Sequence, residues 1–167
     1  MFWVDSDINI NLEIFKKICS IANKKTHPIV SGVYFISKES DGSLPVVMPC
    51  IFDDIDTYLI KYHHPLPHDQ VIKVDSAGMG LVIMHRSVIK KLKEKYGKKS
   101  FLFAENNLSE DEFIGEDISF FRKCKELKIP VYCHTGAIAK HIKRVPWDQD
   151  YYSLYWKNKL LEEENNK

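Results

Sequence analysis

Two carboxylates two positions apart, Asp5 and Asp7, close the first apolar run of the chain, Met1-Phe2-Trp3-Val4. An Asp-x-Asp at the end of a buried strand offers hard oxygen ligands that converge on one point, a donor set suited to Mg²⁺ or Mn²⁺. The same spacing also arises where aspartates simply terminate a strand. A second acidic pair, Glu116-Asp117, follows Gly115 and opens a stretch with helical periodicity. Acids there either complement the positive end of a helix dipole or are aimed by the glycine turn as a working pair. His141 follows an apolar, strand-like run, where an imidazole serves as a ligand or as a hydrogen-bonded core or surface group. Taken together and in order, the three sites could hold a divalent cation and move a proton.

Weaker candidates surround them. Gly78-Met79-Gly80 is either a β-turn or a place where the backbone must approach a ligand closely. Arg86 could reach a phosphate or pair with the acidic stretch near residue 110. Trp147, Tyr151 and Tyr152 could stack on a sugar or base, although aromatics at helical spacing also serve as core. His63, His64 and His68 have two prolines between them and no cysteine nearby, which favours a loop over a zinc site. The lysines from Lys90 to Lys99 read as a solvated helix face, with a nucleic-acid contact as the alternative.

The elements that must position these groups alternate in type. Met1–Val4 reads as a strand buried on both faces. Residues 12–22 form an amphipathic helix with Asn11 as its N-cap, and residues 29–37 a β-branched and aromatic strand. A turn at Asp41-Gly42 and a second strand, 46–52, make a hairpin. Residues 53–70 suggest a short helix and then a proline-broken loop. Strand returns on both sides of Gly78–Gly80, and residues 86–96 are a helix with Ser87 as N-cap and Gly97 just past its end. A third helix carries Phe121, Cys124 and Leu127 inward and stops before Pro130. An extended run to His141 and an aromatic-bearing helix complete an α/β pattern.

Length bounds the chain to one domain, residues 1–160, with a polar tail at 161–167. Of its 167 residues 44% are hydrophobic and 28% charged, enough to bury a core, and a net charge of +1 excludes a general nucleic-acid footprint. Cys19, Cys50, Cys124 and Cys133 show no paired spacing and read as buried hydrophobes. With no membrane-length apolar run, these features imply a soluble, cytoplasmic protein.

The stretches "FWVDSDI", "VSGVYFIS", "VDSAGMGLVIMHRSVI" and "FIGEDISFFRKCKELKIPVYCHTGAIAKHI" resemble the latter two-thirds of a family-2-like glycosyltransferase of the GT-A fold. The resemblance covers nearly the whole chain and implies a mixed sheet flanked by helices. By it, Asp7 is the direct metal ligand, Asp5 its partner toward the metal or the donor's ribose, and His141 the late histidine that completes the shell. Mn²⁺ is favoured over Mg²⁺ by that histidine. Asp117 is the implied base for the acceptor hydroxyl in an inverting transfer, with Glu116 as the alternative. Gly78, Gly80 and Arg86 are implied to face the nucleotide-sugar donor. The acceptor is open among a glycan, a protein side chain and a hydroxymethylated DNA base.

Two other functions fit the same residues: a sugar- or partner-binding module without turnover, and a metal-dependent phosphoesterase. The resemblance begins at the Asp-x-Asp strand itself. Phe2–Val4 is therefore expected as a central strand whose neighbours come from nothing in this chain. A separate N-terminal-half chain, or a homo-oligomer, is the implied partner.

Overall fold

The computed structural model describes residues 1–40, 43–53, 61–98 and 115–143, together with 149, 152, 153, 155–157 and 159. Its elements run β1 (Phe2–Val4), β2 (Ile8–Asn9), α1 (Leu12–Ile21), β3 (Ile29–Val33), β4 (Phe35–Ser40), β5 (Ser43–Pro49) and β6 (Ile51–Asp53). They continue with β7 (Lys61–Tyr62), β8 (Val71–Val74), β9 (Ser76–Ala77), β10 (Leu81–Met84), α2 (Arg86–Tyr96), α3 (Glu116–Glu126), β11 (Val131–Ile138) and β12 (Lys140–His141). The protein is mixed α/β. Five strands form its main sheet in the order β1-β10-β3-β11-β8, with β3 and β11 parallel and the other neighbours antiparallel.

The centre of that sheet is apolar because it is covered on both faces. All five residues of β3 are buried, and Ile29, Val30 and Val33 are fully enclosed. α1 lies against β3 and β11, with Ile18 wholly buried at the contact. A Cβ on Gly32 would fall 2.7 Å from the Ala137 carbonyl and 3.1 Å from Ile18, so the absence of a side chain there lets the helix come down onto the sheet. As the sequence implies, Asn11 caps α1, its Oδ1 accepting the Ile14 N–H at 2.9 Å. α3 packs against β9 and contacts α2, and it buries Phe121 and Cys124 completely.

Three local expectations change. The strand expected over 29–37 breaks at Tyr34: β3 ends before it, and β4 then turns away to pair with β5 in the hairpin, Phe35 opposite Pro49. The cap of α2 is His85 rather than Ser87; its Nδ1 accepts the Ser87 N–H at 3.2 Å, an imidazole doing what a hydroxyl was expected to do. The third concerns Phe2–Val4. This strand does find a neighbour in the chain, running antiparallel to β10 with Phe2 opposite Ile83 and Val4 opposite Leu81. Among the described residues it lies at the edge of the sheet rather than at its centre, and Trp3 is 40% exposed. Gly97 at the end of α2 takes φ 58°, the left-handed region a C-terminal glycine permits.

The Asp41-Gly42 turn, the short helix expected after Asp53, the acidic stretch before Gly115, Lys99, Trp147, Tyr151 and the 161–167 tail lie outside the described residues. Among the described residues, no helix is long and apolar enough to cross a membrane.

Candidate functional site

Two-residue strands from opposite ends of the chain bring the first pair together. β12 runs antiparallel to β2, setting His141 opposite Ile8, and the Ile142 N–H donates to the Asp7 carbonyl at 2.8 Å. The result places His141 Nε2 3.1 Å from Asp7 Oδ2, across 134 positions of sequence. The other ring nitrogen, Nδ1, lies 2.8 Å from the Phe35 carbonyl oxygen. A carbonyl only accepts, so Nδ1 carries the proton and Nε2 is the nitrogen turned to the carboxylate. Nε2 donates to the carboxylate when the ring is protonated, since a carboxylate oxygen only accepts. Lys143 adds a second donor, its Nζ 2.9 Å from the same Oδ2. The Lys143 ammonium, then the His141 ring, hold the Asp7 carboxyl below its usual range against a partial desolvation. Fixing Nδ1 on a backbone carbonyl is also how proteins orient a histidine that ligates metal through Nε2.

The second cluster is built on Gly78–Gly80. The Met79 N–H donates to Asp117 Oδ2 at 3.0 Å, and the Asp5 N–H donates to the Gly80 carbonyl at 3.0 Å. Asp117 lies in the first turn of α3, whose N-cap, Gly115, contributes no side-chain bond. Burial pushes the Asp117 carboxyl up to about 6; the Met79 N–H opposes this, while the negative charges of Glu116 and Asp5 add to it. Its value therefore falls close to the pH at which a carboxylate base is most useful. The Asp5 side chain accepts from Trp3 Nε1 at 2.9 Å.

Tyr34 joins the two clusters, and the sequence offered no chemical reason to single it out. Its hydroxyl accepts the Gly80 N–H at 3.3 Å and bonds the Cys50 thiol, while its ring edge meets the His141 ring at 5.2 Å and 81°. Burial raises the Tyr34 phenol and pushes the Cys50 thiol up to about 11, so both stay protonated at neutral pH. Gly78 packs directly against this tyrosine: a Cβ there would run into the Tyr34 hydroxyl and the Cys50 Sγ. Gly78→Ala is accordingly expected to cost ~1–3 kcal/mol through overpacking. Tyr34→Phe should relieve part of that cost in the double variant; a urea midpoint for Gly78→Ala that matches the parent would remove the close-packing argument.

Of the residues implied by the sequence, Asp7 and His141 are brought together, as are Asp5, Asp117, Gly78 and Gly80. Glu116 is exposed beside Asp117. Arg86 is not part of the assembly. It follows β10 at the end opposite Gly80, a strand of four residues or roughly 13 Å away. His63 Nδ1 pairs with Asp53 Oδ2 at 2.7 Å, while His64 and His68 line a separate cleft with Phe35 and Asp69. Tyr152 is exposed, edge-on to Trp156 at 6.3 Å. Among the described residues, no three His, Cys, Asp or Glu side chains gather closely enough to enclose a metal ion. Asp7 and His141 are in contact, while the Asp5 carboxylate is engaged by Trp3.

No family model matches the sequence, and no curated protein matches it. Among solved structures, the chain is similar to the crystal structure of A197 from STIV, with a TM-score of 0.51 at 17% identity. The likeness covers 86% of this chain and 57% of that one, so the chain spans little more than half the length of A197. At this identity the two share a fold, and the likeness carries no activity from one to the other.

Proposed function

We propose that this chain is the metal-binding and acceptor-side portion of a GT-A-like glycosyltransferase, transferring a sugar from a nucleotide-sugar to an acceptor hydroxyl. The observation that carries the reading is the pairing of Asp7 with His141 at 3.1 Å, with Nδ1 turned onto the Phe35 carbonyl. Asp7 and His141 would hold a divalent cation, Mn²⁺ or Mg²⁺, which when bound neutralises charge on the departing nucleoside diphosphate. Asp117 takes the proton of the acceptor hydroxyl through the carboxylate that Met79 holds. The acceptor oxygen forms its bond to the anomeric carbon as the bond from that carbon to the diphosphate breaks, which inverts the centre. Gly78 and Gly80 let this loop pack directly against Tyr34, which fixes the backbone that holds Asp117.

One observation favours a second reading, a module that binds without turnover: Lys143 already neutralises Asp7 from 2.9 Å. A phosphoesterase working through two ions is supported less well, since the described residues gather two ligands rather than two full sets.

Calorimetric titration of UDP- and GDP-sugars with and without Mn²⁺ tests the proposal. Binding that depends on Mn²⁺, and that weakens at least ~10-fold, about 1.4 kcal/mol, in Asp7→Ala with an unchanged circular dichroism spectrum, is the expected result. Equal heats with and without the metal, from a folded protein, would sink the assignment of Asp7 and His141. Binding without transfer to any acceptor would leave the module reading in its place.

A further inference from the structure

Arg86 stands away from the proposed catalytic groups, and where it stands is a cavity of its own. The space, about 310 Å³, opens at the end of β10 between the start of α2 and the loop that follows α1. Its floor is apolar, made by Ala22, Pro28, Ile83 and Met84, while Lys24, His27, His85 and Arg86 lie around it. Among the described residues no Asp or Glu lines this cavity, and none of these four side chains is paired with a carboxylate.

The protonation of the rim follows from its hydrogen bonds. His85 Nδ1 accepts the Ser87 N–H, so its ring proton is on Nε2, a donor. Lys24 and Arg86 only donate. Lys24, His85 and Arg86 thus supply donors among the residues that line the cavity, Asn23 and His27 add further polar groups, and the rest of the lining is largely apolar. That division matches a molecule with an apolar body and a compact anion at one end. Among anions, a phosphate monoester suits the rim best. Its three terminal oxygens accept from three directions, and two of them match the fork of a guanidinium. The first turn of α2 contains no acid to compete for the same donors.

We propose that this cavity is a second binding site, taking the phosphate monoester of an apolar or aromatic alcohol, with Arg86 and Lys24 holding the phosphate. It is independent of the sugar-transfer reading, because none of its residues belongs to the Asp7–His141 or Asp117 clusters.

The test uses the full chain and three probes: 1-naphthyl phosphate, 1-naphthol and inorganic phosphate. The naphthyl phosphate should bind at least ten times tighter than either fragment and shift the His27 and His85 ring resonances. Arg86→Glu and Lys24→Glu, each at an exposed position without a carboxylate partner among the described residues, should each weaken that binding at least tenfold; Asp7→Ala and Lys91→Glu should leave it unchanged. Equal affinity for naphthol and its phosphate would reduce the site to an apolar cleft and overturn the proposal. So would binding that survives both charge reversals, binding that fails with Asp7→Ala, or no binding to the folded chain.

Discussion

On the proposed function, exchanging Asp117 for asparagine is expected to slow sugar transfer ~10²–10⁴-fold, the range that loss of a general base covers, and to make the fold more stable at neutral pH. Both effects have one cause. Asparagine keeps an acceptor for the Met79 N–H and occupies nearly the same volume, but it neither takes a proton nor carries charge. The native carboxyl titrates near 6, above its ordinary 3.8, chiefly because α3 and the Gly78–Gly80 loop bury it. The folded state therefore holds this proton more tightly than the unfolded chain. Stability contributed by the protonated form is present below about pH 4 and is lost as pH rises through 6, a span on the order of 3 kcal/mol. Urea denaturation should find the variant more stable than the parent at pH 7.5 and close to it at pH 4. The parent's transfer rate should fall below pH 6 as the base is protonated. An acidic limb retained in Asp117→Asn would assign that proton to another group.

Phe121→Ala is expected to destabilise the protein by ~3–5 kcal/mol, the cost of deleting a large buried ring and leaving part of its volume empty. Phe121 is wholly inaccessible and meets Phe120 edge-to-face at 5.2 Å and 88°. For a domain whose total stability is of the usual ~5–15 kcal/mol, this is a large share. The loss should lower the urea midpoint without changing the slope. α3 carries Asp117 at its first turn, so the variant should also loosen the Asp117–Met79 bond. A midpoint within ~1 kcal/mol of the parent's would mean that the α3 interface closes around the gap.

The elements were legible where the signal is local. Apolar spacing located α1, α2 and α3, Asn11 and Gly97 marked two of their ends, and β-branched runs marked β3 and β10. What spacing could not supply was partnership. Nothing in Phe2-Trp3-Val4 says that Leu81–Met84 lies beside it, because an edge strand and a central strand of three residues have the same composition. Asp7 and His141 were paired by likeness to a family, and the geometry sets them in contact. Tyr34 was hidden inside an apolar run, where a tyrosine that organises a site looks like one that fills a core. Arg86 lies apart from Gly80 for a simpler reason: the strand between them carries the chain steadily away, so nearness in sequence became distance in space.

The join between β2 and β12 has a consequence for kinetics. It joins positions more than 130 residues apart with two two-residue strands and the Ile142–Asp7 hydrogen bond. The main sheet already holds β1 and β11 together through β10 and β3, so the join adds few contacts to a closure made elsewhere. It therefore belongs among the first contacts to open. Asp7 and His141 would then part and meet many times within the life of one folded molecule, and a ligand bound between them would act as a latch on both ends of the chain.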